Sequence, residues 1–88
     1  ETTRTLNDFC DLLSEAIFSS IMNVRIMASR ILFLVLKGLP NSVALNTLLT
    51  QKTQNTMGSA ILFLVKQKVS TYRQLGIKLS SLVLITRS

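Results

Sequence analysis

Apolar residues recur three and four positions apart along most of this chain, and that spacing restricts it to helices. Phe9, Leu12, Leu13, Ala16, Ile17, Ser20, Ile21 and Val24 follow the pattern over four turns. Thr5 with Asp8 three residues later reads as a capping box that starts this helix. Asp8 and Asp11 in its first turns suit the helix dipole. The stripe weakens at Ser19-Ser20 and Asn23, where a bend or break is expected. A second helix runs to Lys37, where Lys37, Gly38 and Pro40 form a stop: a basic carboxyl end, a glycine for a left-handed cap, and a proline that ends the pattern. Asn41 or Ser42 then caps a short helix carrying Val43, Leu45, Leu48 and Leu49.

Gln51 to Thr56 is polar and carries no apolar periodic residue, so it reads as a loop. Helical patterning resumes at Met57 and continues through Ile61, Leu64, Val65, Val69, Tyr72, Leu75, Leu79, Leu82 and Val83. Ser70-Thr71 or Gly76 marks a kink or a split. Ile61 to Val65 has no polar side and fits a buried strand on residue preference alone. Its place inside a 3.6-residue pattern favours a helix buried all round, as for Ile31 to Leu36. The reading is therefore all-α: a bundle of about five helices over residues 6–20, 24–37, 42–51, 57–70 and 72–85, two of them central and apolar. Met27 to Val35 and Met57 to Val65 are alike at seven of nine positions. Without a third copy, this reads as two similar core helices and not a solenoid.

At 88 residues the chain is one domain with a small core, and 48% of its residues are hydrophobic. Without Trp, that core has to come from Leu, Ile, Val and Met. Cys10 is the one cysteine, which points to a reducing compartment. It reads as a buried small hydrophobe whose acidic neighbours raise its pKa. The longest uncharged run, Gly38 to Gln51, is too short and too polar to span a membrane. Residues 1–88 read as the carboxyl-terminal part of a longer chain, because the first residue is Glu1 and not Met.

Charge is distributed unevenly. All four acids, Glu1, Asp8, Asp11 and Glu15, precede Ala16, and nine of the ten Lys and Arg follow it. Bases without acids to pair with suit an acidic protein surface, nucleic acid or anionic lipid. A plain solvated helical surface accounts for them equally. A segment constrained by an overlapping reading frame has the same composition.

Catalytic chemistry has little to work with. There is no histidine, hence no general base of ordinary pKa near neutrality. Neither a metal-ligand cluster nor a phosphate loop stands out. The expectation is an interaction domain, not an enzyme, with no cofactor, metal or small-molecule ligand. Lys66 and Arg73, seven residues apart in the last helical segment, share a face in the periodic pattern and are the leading partner-binding residues. Lys68 and Lys78, on other faces, complete the set. Nucleic acid and membrane rank lower, because the bases are not massed on one face and Tyr72 lies in the apolar stripe. A homo-oligomeric structural subunit is a further alternative.

From about Met22 to Leu79 the chain resembles the carboxyl-terminal half of the paramyxovirus C proteins, accessory proteins read from an overlapping frame of the phosphoprotein gene. Met22-Asn23-Val24-Arg25 is followed by the apolar helix Ile31 to Leu36 and by Leu39-Pro40-Asn41. Leu45, Leu48 and Leu49 come next. After the polar stretch stand Thr56-Met57-Gly58 and Ile61-Leu62-Phe63-Leu64-Val65-Lys66. This order is most similar to the morbillivirus, henipavirus and tupaia-virus members. The resemblance implies an accessory protein of the host cytoplasm, with the nucleus as second compartment. Such a protein suppresses interferon induction or signalling and regulates viral RNA synthesis by binding host innate-immunity proteins and the viral polymerase complex. Some members bind the amino-terminal domain of a STAT factor, others a membrane-budding adaptor. Neither contact maps onto particular residues here.

Overall fold

In the computed structural model, residues 2–39 and 47–87 are described, with side chains placed for 4–39 and 47–83. Four helices account for most of them: α1 (Thr2–Ile17), α2 (Met22–Lys37), α3 (Gln51–Val65) and α4 (Ser70–Arg87). No strand occurs among the described residues. Half of the expected helix over 42–51 falls on residues 42–46, outside the described set; Thr47 and Leu48 are helical, and Gln51 already belongs to α3. The described architecture is thus a four-helix bundle and not the five helices expected.

α1 packs against α2 and α3, and α4 packs against the same two. The helices stand at the corners of a square, with α2 and α3 diagonally opposite. Neither apolar helix is therefore central, as both were expected to be. Short connections make α1–α2 and α3–α4 antiparallel; Asn7 near the start of α1 bonds the backbone just before α3, and Arg25 and Tyr72 meet near the starts of α2 and α4, so α2 and α4 run parallel as neighbours. The Cα radius of gyration, 12.1 Å, matches the ~12 Å of a closely packed chain of this length.

Each helix buries one line of residues. Asn7, Cys10, Leu13, Ser14 and Ile17 face inward from α1, and Ala28, Ser29, Leu32 and Leu36 from α2. Thr53, Met57, Ala60, Ile61 and Leu64 do so from α3, and Tyr72 and Leu79 from α4. No valine is in this buried set; alanine, serine and Gly76 take up the volume expected of it, because small side chains let the helix axes approach. The Ser14 and Ser29 hydroxyls donate to the carbonyls of Cys10 and Arg25, both at 2.8 Å. Neither therefore enters the core unsatisfied.

The ends of the helices differ from the sequence reading. α1 begins at Thr2, so Thr5 lies inside it and does not start it, and its first turn holds no acid. Tertiary contact anchors this end. The buried Asn7 amide donates to Leu48 O at 2.8 Å and accepts from Thr50 N at 2.8 Å. The expected break falls at residues 18–21, where Phe18 N and Ser19 N bond three residues back. Leu12 and Ile21, expected in the inward stripe, are 62% and 60% exposed.

Gln51 to Thr56 forms the first turns of α3 and not a loop. Thr50 caps it, its hydroxyl accepting from Thr53 N at 3.2 Å, and Gln54 reaches back to Leu49 O at 2.9 Å. Thr53 is almost wholly buried and fills the slot where the pattern called for an apolar residue. α2 stops at Lys37 as expected, but Gly38 caps it in the right-handed region at φ −75°. The second split comes at residues 66–69, ahead of Ser70.

Cys10 and Tyr72 are buried, as expected. Burial pushes the Cys10 thiol up from 9.0 to about 11, and the Asp11 charge adds to the shift. The raised value favours the neutral thiol in the folded state. The linked stability is complete below pH 9.0 and is lost as pH climbs through about 11. Urea midpoints of the wild type should therefore fall over that window more steeply than those of Cys10→Ala. Equal slopes in the two proteins would remove the linkage.

Candidate protein-docking surface

One end of the bundle is closed by a cluster drawn from α2, α3, α4 and the residue that follows α1. Phe18, just past α1, lies 4.9 Å from the Phe63 ring of α3, centroid to centroid. Arg25, in the first turn of α2, stacks its guanidinium 5.0 Å from Phe63 and 4.7 Å from Tyr72 of α4. Its Nε and Nη2 donate to Ser19 O at 3.1 and 2.8 Å, satisfying a carbonyl that the end of α1 leaves open. Arg25 is thus committed to the fold. Arg25→Ala should cost about 2 kcal/mol, from two charge-assisted hydrogen bonds and two ring contacts discounted for partial exposure. Arg25→Lys should restore less than half of that, lacking the planar fork. Denaturant midpoints at constant m-value measure both.

The other described cations make no such hydrogen bonds, and Lys37 alone of them lies near a ring, that of Phe33. No ion pair within 4.0 Å forms among the described residues. Lys66 caps α3, Lys68 lies in the turn that follows, and Arg73 and Lys78 lie on α4; all four are exposed. The structure does not place Lys66 and Arg73 on one helical face, because the helix ends between them. Their seven-residue spacing has meaning only along an unbroken helix.

Lys78 lies on a different feature, a groove of about 360 Å3 between α2 and α4. Arg30, Phe33 and Leu34 line one wall; Thr71, Gln74, Leu75 and Lys78 line the other. The first set stands at i, i+3 and i+4 of α2, the second at i, i+3, i+4 and i+7 of α4. Leu34 is 65% exposed, and the Lys37 ammonium lies 5.9 Å from the Phe33 ring. Arg30, Leu34 and Lys37 were missed from sequence. Their spacing was legible, but the adjacency of α2 and α4 was not.

A second, almost wholly apolar groove runs along α1 and α2, between Leu12, Ala16, Val24, Met27 and Ile31. Among the described residues no group of three His, Cys, Asp or Glu is placed to hold a metal ion. No described helix is long and apolar enough to cross a membrane. Asp11 Oδ1 is buried without a hydrogen-bond partner, next in sequence to the core residue Cys10. Compared with protein-family models, curated proteins and solved structures, the chain matches none.

Proposed function

We propose that this bundle is the interaction domain of a viral accessory protein similar to the paramyxovirus C proteins. It binds host innate-immunity proteins and the viral polymerase complex. By doing so it suppresses the interferon response and regulates viral RNA synthesis, without catalysis of its own. The order of motifs from Met22 to Leu79 carries the family reading. Exposed leucine and unpaired cations along α2 and α4 support the interaction half of it, since contacts of that kind steer association with acidic partners.

Two cell reporters test the proposal: one responsive to interferon, and one driven by a paramyxovirus polymerase on a minimal genome. Expression of the chain should lower both signals. If both stay unchanged at confirmed protein levels, the reading is wrong. A basic nucleic-acid module is the rival favoured by the acid-free span after Glu15. It would show affinity that falls steeply with salt in gel shifts. Tyr72, buried beneath Arg25, offers no ring to a base.

A further inference from the structure

We infer that the groove between α2 and α4 seats an amphipathic helix of a partner protein, with the acidic flanks of that helix held by Arg30, Lys37 and Lys78. This rests on the interaction-domain reading and assigns it a surface.

Shape favours a helix as the occupant. α2 and α4 run side by side and parallel, and their outward lines leave a trough with an apolar floor of Phe33, Leu34 and Leu75. A third helix packs into such a trough at the usual 8–10 Å between axes. Its anchors would repeat at i, i+3, i+4 and i+7. Covering Leu34, 65% exposed in the free bundle, removes apolar surface from water.

Charge favours an acidic helix. Neither α2 nor α4 contains an Asp or Glu. Arg30 and Lys37 are two turns apart, about 10 Å, and Lys78 lines the opposite wall of the groove. None of the three is in an ion pair. An acidic flank thus meets a cation at each end of the groove without breaking an internal ion pair. A second copy of this chain is disfavoured as occupant, because each copy carries a net charge of +6 and the two repel.

The test uses the full chain and a fluorescein-labelled synthetic peptide of about 16 residues, long enough for four helical turns. The peptide carries Leu at i, i+3, i+4 and i+7 and Glu on both flanks. One control is a scrambled peptide of the same composition, and another has Lys in place of Glu. Anisotropy should show binding of the patterned acidic peptide only, weakening as salt rises. Arg30→Glu with Lys78→Glu should weaken it about tenfold, and Leu34→Glu alone by a similar factor. Arg4→Glu with Lys52→Glu makes the same charge change elsewhere and should shift it by no more than about twofold. Thermal melts establish that each variant is folded.

Equal binding of the scrambled peptide, equal loss in both charge pairs, or no binding at all would overturn the groove. So would sedimentation showing a dimer of the free chain that Leu34→Glu dissolves, because a second copy then occupies it. The reporters separate this outcome from the functional reading. Reporter suppression without peptide binding sinks the groove alone, and binding without suppression sinks the family reading alone.

Discussion

Gly76→Leu should leave no folded population, and Gly76→Ala should lower stability by about 1–2 kcal/mol, although alanine is the better helix former. A Cβ at residue 76 would lie 2.9 Å from Leu64 Cβ, from Val65 Cγ2 and from the Val65 backbone nitrogen. A Cβ and a backbone nitrogen cannot swing aside as the end of a long side chain can. α3 and α4 would have to separate along their contact. The helix-propensity gain of about 1 kcal/mol offsets part of that strain and not all of it. Gly58 supplies the control: it also lies mid-helix, but nothing stands within 4 Å of its Cβ position. Gly58→Ala should therefore raise stability by about 0.5–1 kcal/mol. Urea unfolding followed by circular dichroism reads both. Two substitutions of the same sign would mean that α3 and α4 are not in the close contact described.

The second large effect concerns the two near-identical segments. Leu64→Ala should cost about 3 kcal/mol, the usual result of a cavity at a fully buried leucine. Its counterpart thirty residues earlier, Leu34, should tolerate alanine within about 0.5 kcal/mol. The next pair reverses: Leu32→Ala should be costly and Leu62→Ala mild. Burial is the reason, since Leu64 and Leu32 are wholly buried and Leu34 and Leu62 are 65% and 53% exposed. Denaturant midpoints of the four variants give a pattern of two large and two small losses. If corresponding positions respond alike, the helix faces described here are wrong.

Much of the fold was legible in the residues. The breaks after α1 and α2, the burial of Cys10 and Tyr72, and a split near Ser70 all followed from periodicity and from where it faltered. The start of α3 was not legible, because Thr53 holds a core position and its neighbours bond within the helix as turn residues do elsewhere. The start of α1 was missed for a related reason. Thr5 and Asp8 match a local capping pattern, but α1 starts before them and Asn7 anchors the helix from the side through the backbone before α3. The candidate cations divided likewise. Lys78 lies on a groove, whereas Lys66 and Arg73 lost their shared face once the helix ended between them.

The sequence alone determined that the chain is helical, roughly where its helices stop, and that α2 to α4 carry bases without acids. It could not determine which side of α2 or α3 faces inward. A periodic pattern names a face only when the opposite side is polar, and Ile31 to Leu36 and Ile61 to Val65 are apolar all round. Tertiary packing made that choice through small residues that allow close approach: Ala28 and Ser29 on α2, Ala60 on α3 and Gly76 on α4. The choice turned Leu34 outward and Leu64 inward, and set α2 beside α4. The groove exists because of that adjacency, which no single helix encodes.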